Sequence, residues 1–122
     1  MKGLKVLVAD DSVIIRTKII QMLEQLGHTV VGQAENGTEA IEVFSKERPD
    51  LITMDITMPD MDGIEATRII IDADPNANIL VLTSHAQQEI VQQAIEAGAK
   101  GYVVKPVTAD KLSQRIKQIM EL

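Results

Sequence analysis

Five short apolar runs alternate without exception with five segments of helical period along this 122-residue chain. The runs occupy residues 4–10, 29–34, 50–55, 78–83 and 101–105, and most are continuously apolar, as in Leu51-Ile52-Thr53-Met54 or Ile79-Leu80-Val81-Leu82. A strand exposed on one face alternates apolar with polar residues, whereas a strand covered on both faces does not. Strict alternation with short connections therefore predicts an α/β fold, a five-stranded parallel sheet with helices on both faces.

The segments between the runs carry the stripes and caps of amphipathic helices. Ile15, Ile19, Met22, Leu23 and Leu26 form the first stripe, with Asp11 or Ser12 as N-cap and Gly27 closing the helix. Asn36 and Glu39 stand at N-cap and N3 of the second, whose apolar positions are Ala40, Ile41, Val43 and Phe44, before Pro49. The third starts at Asp62 or Gly63 and runs through Ile69-Ile70-Ile71 to a stop before Pro75. Ile90, Val91, Ala94 and Ile95 mark the fourth, which ends at Gly98. Leu112, Ile116, Ile119 and Met120 mark the fifth, capped by Thr108. No linker, repeat or low-complexity stretch interrupts the pattern, so residues 1–122 are expected to form one domain.

Composition removes several classes of function. Without cysteine there is no disulfide framework, thiolate nucleophile or zinc-thiolate site. Neither histidine belongs to a metal-ligand spacing: His28 follows Gly27 in a turn and is expected to be exposed, and His85 lies two residues beyond Thr83. The net charge of −6 argues against direct binding of nucleic acid. That charge is uneven. Residues 1–85 hold seven basic against fourteen acidic side chains, net −7, and residues 86–122 hold five against four, net +1. No apolar run approaches the ~20 residues of a membrane helix, and the amino terminus lacks the apolar core of a signal peptide. The expectation is a cytoplasmic, aromatic-poor globular protein without membrane insertion.

The ends of the runs carry the chemistry. Asp10-Asp11 closes the first, Asp55 the third, Thr83 the fourth and Lys105 the fifth. In an open parallel sheet, functional groups collect beyond the carboxyl ends of the strands. Three carboxylates and one ammonium should then meet at a single rim. One acidic residue suffices for a helix cap, and a second beside it adds repulsion that capping does not offset. A divalent cation relieves that repulsion. The loop Ile56-Thr57-Met58-Pro59-Asp60-Met61-Asp62-Gly63, stiffened by its proline and glycine, can aim a backbone carbonyl, that of Thr57, at the same cation. An aspartate at such a metal can act as nucleophile towards phosphorus. Thr83 and Lys105 could each donate a charge-assisted hydrogen bond to an aspartyl phosphate, and Lys105-Pro106 can adopt a cis peptide that turns the chain sharply.

These residues, in this order and at these spacings, resemble the response-regulator receiver domain of two-component signalling, and are similar to its single-domain chemotaxis type. The resemblance spans essentially the whole chain. It rests on Asp10-Asp11, on Asp55 with Met58-Pro59 and Asp62-Gly63, on Thr83, and on Lys105-Pro106. It implies the flavodoxin-like, doubly wound sheet with strand order 2-1-3-4-5. It implies that Asp55 accepts phosphate from the phosphohistidine of a sensor histidine kinase. Mg²⁺ would be held by Asp11 and Asp55 directly, by Asp10 through water and by the Thr57 carbonyl. Thr83 and Lys105 would hold the phosphoryl oxygens, and Tyr102 would change rotamer on activation. Thr57 stands where the chemotaxis type commonly has an amide, and His85 where it has a carboxylate; in the family these positions tune how long the phosphate lasts.

A phosphomonoesterase working through an aspartyl phosphate is the main rival. Such enzymes place a second carboxylate two residues beyond the nucleophile, where this chain has Thr57, and need an insertion that covers the substrate. A nucleotide- or flavin-binding domain would need a glycine-rich loop where Asp10-Asp11 stands. A receiver domain cut from a larger DNA-binding regulator is a further alternative; an end directly after the fifth helix favours a stand-alone regulator. The expected partners are the histidine kinase and an effector protein docking on the 86–122 face of a monomer. Beyond its own phosphorylation and dephosphorylation, no enzyme activity is expected.

Overall fold

Strand and helix alternate throughout the computed structural model, which describes residues 3–84 and 87–120. The elements are β1 (Lys5–Ala9), α1 (Val13–Gln25), β2 (Thr29–Ala34), α2 (Gly37–Glu47), β3 (Leu51–Asp55), α3 (Gly63–Ala73), β4 (Ile79–Thr83), α4 (Gln88–Glu96), β5 (Gly101–Val104) and α5 (Ala109–Met120). All strand pairs are parallel, and the order across the sheet is β2-β1-β3-β4-β5. The five-stranded doubly wound sheet is therefore as expected, with strand ends trimmed by a residue: Asp10 and Lys105 lie just past β1 and β5.

Two apolar layers sandwich the sheet, and strand parity decides which residue joins which. Leu7, Ala9, Ile52, Met54, Ile79 and Val81 pack with Ala40, Phe44, Ala66, Ile70 and Ala94, on the side of α2, α3 and α4. Val6, Val8, Leu51, Leu80, Leu82 and Val103 pack with Ile19, Leu23, Leu112 and Ile116, on the side of α1 and α5. Every residue of β3 and β4 is buried, which is why those runs show no alternation. Fully burying one such aliphatic side chain contributes roughly 1.5–3 kcal/mol relative to exposure. The central strands thus hold the site's framework most firmly. On the edge, β2 is mostly only partly buried, and its pairing with β1 shifts register between Val6 and Leu7.

Local signals set the helix ends. Ser12, not Asp11, caps α1, its hydroxyl accepting the Ile15 N–H at 3.2 Å. Asn36 caps α2 by accepting the Glu39 N–H at 2.8 Å, while the Glu39 carboxylate accepts the N–H of Glu35, one residue before the expected reciprocal partner. Asp62 and Thr108 act as caps for α3 and α5. Gly27 and Gly98 both take positive φ at helix ends. At Gly98 a side chain would also meet Ile71, with a Cβ only 2.7 Å from its Cγ1. The end of α2 has no glycine: Arg48 itself takes the left-handed conformation at φ 49°. Its guanidinium lies 5.0 Å from the Phe44 ring centre and pairs with Asp74 at 3.2 Å.

One expectation fails. His28 is buried, not exposed, at 4 % of its free surface. Its Nδ1 accepts the Leu4 N–H at 3.0 Å, a contact across 24 residues that no local pattern shows.

Candidate functional site

The three acidic positions meet because two strands share a parity. Val6 and Val8 face α1 and α5, and so does Leu51. Counting in twos puts Asp10 beyond β1 and Asp55 at the end of β3 on that same side, and Lys105 follows Val103 likewise. The structure brings one carboxylate oxygen from each of Asp10, Asp11 and Asp55 within 4.8 Å of one another. Lys105 Nζ lies 3.2 Å from Asp10 Oδ2 and 3.4 Å from Asp55 Oδ1. Asp10 is fully buried and Asp55 nearly so, whereas Asp11 is exposed at the mouth. Of the three, Asp11 is the one that solvent reaches freely.

Main-chain bonds hold the walls. The Asp10 carboxylate accepts the Ser12 N–H at 2.9 Å, and the Asp10 N–H donates to the Ala34 carbonyl at 2.9 Å. Beyond Asp55, the Ile56 N–H donates to the Leu82 carbonyl at 3.1 Å. The Ile56 carbonyl accepts the Gly63 N–H at 2.8 Å. Gly63 comes so close that a Cβ there would collide with the Asp55 carbonyl. Within the loop Asp60 has φ 67°, and the Met61 carbonyl accepts the Gly37 N–H at 2.9 Å, which ties the loop to α2. Thr57 is exposed on this loop, and Met58 is buried beneath it.

Asp55 is electrostatically unusual. Burial first, and the neighbouring Asp10 charge second, push its carboxyl from 3.8 up to about 6, against the pull of Lys105 and of the Thr57 backbone. A group so placed gains by meeting a cation or a covalent partner. The donor set suits a hard divalent ion: all oxygen, three carboxylates in mutual reach, one of them open to water.

Thr83 ends β4 at 1 % exposure. Its parity matches Val81, which places it on the side of α3 and α4. Tyr102 shares that side, since it pairs in register with Val81 while Val103 faces the other way. Tyr102 is half-buried, with the Arg115 guanidinium 5.4 Å from its ring centre. The Lys105-Pro106 bond is cis. His85 lies outside the described residues. One residue at the site escapes a reading of strand ends: Arg16 of α1, buried, donates from Nη1 to the Asp10 carbonyl at 2.6 Å. Its only signal in sequence is its place on the buried side of α1, one turn after the cap.

Comparison with known proteins agrees with this geometry. The model of the response regulator receiver domain matches residues 6–117. Protein CcdB of Bacillus subtilis is 43 % identical over 116 residues, 95 % of this chain and 97 % of that one. The chemotaxis protein CheY of Thermotoga maritima is 40 % identical over 117 residues, 96 % of this chain and 98 % of that one. Among solved structures, a CheX–CheY–BeF₃–Mg²⁺ complex from Borrelia burgdorferi superposes with a TM-score of 0.94 at 30 % identity, covering 98 % of this chain and 90 % of that one. A rim of three carboxylates and a lysine at the end of a 2-1-3-4-5 parallel sheet, matched along nearly the whole chain, shows that the protein belongs to the response regulator receiver domain family and is a phosphoacceptor regulator of two-component signalling.

Proposed function

We propose that Asp55 takes the phosphoryl group from the phosphohistidine of a sensor kinase, and that residues 1–122 act as one receiver domain of the chemotaxis type. The observation that carries this is the Lys105 ammonium lying between Asp10 and Asp55 at 3.2 and 3.4 Å, beside three carboxylates in mutual reach. An Asp55 oxygen attacks phosphorus and forms the new O–P bond. The N–P bond of the donor breaks, its electron pair returns to the imidazole nitrogen, and that nitrogen takes up a proton. Asp10, Asp11, Asp55 and the Thr57 carbonyl would hold Mg²⁺, which when bound offsets the charge on the phosphoryl oxygens. Lys105 turns from the carboxylates to one of those oxygens, and the Thr83 hydroxyl donates to another.

Partners follow from the surfaces. Val13 and Ile14 stand 61 % and 70 % exposed in the first turn of α1, beside Asp11, and offer apolar contact to the phosphodonor. The effector docks on the face built by α4, β5 and α5, where the charge is close to neutral. Thr57 and His85 set the lifetime of the phosphate. Apart from turnover of its own phosphate the chain has no catalytic role. Among the described residues no helix is long and apolar enough to cross a membrane. Incubation with a phosphorylated histidine kinase tests the proposal: label should move to this chain with Mg²⁺ and stay on the kinase with EDTA. Steady hydrolysis of p-nitrophenyl phosphate, with no label retained by the chain, would instead make it a phosphatase.

A further inference from the structure

Arg16 is a cation buried to 8 % exposure, and its one ion pair among the described residues is long. Its Nη2 lies 3.7 Å from Glu35, whose side chain is 62 % exposed. A pair so long and so wet contributes about 0–1 kcal/mol, too little to account for burying a guanidinium. The short bonds go elsewhere. Nη1 donates to the Asp10 carbonyl at 2.6 Å, and Nε donates to Gln33 Oε1 at 2.9 Å. The Arg16 N–H itself is fixed in the first turn of α1, donating to the Ser12 carbonyl at 2.8 Å.

We propose that Arg16 is the positioning residue of the acidic site, clamping the peptide between Asp10 and Asp11 so that their carboxylates stay aimed at the metal. The inference rests on the metal-site reading above. The Asp10 N–H is held by Ala34, and its carboxylate by Ser12 and Lys105. The peptide plane that follows is held at its carbonyl by Arg16, and that plane carries the N–H of Asp11. Rotation of this one peptide would swing Asp11 away from Asp55. The clamp needs two prongs, because Gln33 on β2 keeps the guanidinium from following α1 outward. Lysine, with one ammonium on a flexible stem, supplies the charge but not the fork.

The test is a Mg²⁺ titration followed by backbone amide NMR on wild type, Arg16→Lys, Arg16→Gln and Ile70→Val, the last buried in the opposite layer. Outer groups that orient metal ligands typically contribute about 10–100-fold in affinity, and a loss of about 10-fold is expected for both Arg16 variants. Ile70→Val, a destabilised control, should keep wild-type affinity. Wild-type affinity in Arg16→Lys would overturn the clamp, as would an equal loss in Ile70→Val. Should the Arg16 variants not fold, Gln33→Ala carries the test: a smaller loss in the same direction supports the clamp, and an unchanged affinity overturns it. Absence of Mg²⁺ binding in wild type would remove the site itself, a result distinct from all of these.

Discussion

At the scale of single residues, Asp55 shows how a site is made reactive at the expense of stability. A carboxyl pushed from 3.8 to about 6 by burial and by Asp10 is a raised folded pKa. Its stabilising contribution is therefore full below about pH 4 and lost as pH rises through about 6. At roughly 1.4 kcal/mol per tenfold change, the ionised side chain costs the metal-free protein about 3 kcal/mol at neutral pH. Asp55→Asn should accordingly stabilise the metal-free protein by about 1–3 kcal/mol, measured by urea unfolding in EDTA at pH 7.5; a loss would contradict this account. His28 works in the opposite direction. Burial lowers its pKa below 6.5, and Nδ1 must stay unprotonated to accept the Leu4 N–H. Its contribution is present above 6.5 and lost as pH falls through the lower folded value. In Asp55→Asn, where the opposing titration is gone, stability should fall steadily from pH 7 to pH 5; a flat profile would count against the His28 bond. Asp55 was legible from its place at a strand end. His28 was not, because its partner Leu4 lies across the fold while its neighbours Gly27 and Thr29 read as a surface turn.

At the scale of elements, β3 carries both the proposed phosphoacceptor and a flaw. Thr53 is fully buried, in register with Val8 and Leu80, and its hydroxyl finds no partner among the described residues. A buried hydroxyl left without a hydrogen bond costs on the order of 1–3 kcal/mol. Valine has nearly the same shape, so Thr53→Val should raise unfolding stability by roughly 1 kcal/mol by urea titration; a decrease would mean that the hydroxyl is satisfied after all. The strand itself was easy to read, since a central parallel strand is apolar on both faces. Helix ends were legible where a side chain does the capping, as with Asn36 and Asp62. The end of α2 was less so, because Arg48 takes a conformation usually given to glycine and is held there by Phe44 and Asp74.

At the scale of the whole molecule the charge is uneven, net −7 over residues 1–85 and +1 over residues 86–122, the stretch that builds α4, β5 and α5. The acidic rim lies at the carboxyl ends of the strands, and the near-neutral face beside it. Between them Thr83 and Tyr102 share one side of adjacent strands, a short path from site to surface. Phosphoryl oxygens on Asp55 would draw the Thr83 hydroxyl, and Tyr102, now stacked with Arg115, would move into the space beside it. With beryllofluoride as phosphoryl mimic, amide NMR shifts should extend through α4 and β5; shifts confined to the loops after β1 and β3 would break this route. The rim was legible in the sequence because parallel strands deliver their ends to one place, and four of the five ends were chemically marked. Arg16 was not, for a helix residue reveals its target only once the helix is packed. Asp55 as phosphoacceptor is the claim from which the rest depends, and intact mass after incubation with Mg²⁺ and acetyl phosphate tests it most directly. The account predicts one added phosphoryl group on wild type and none on Asp55→Asn; equal modification of both would contradict it.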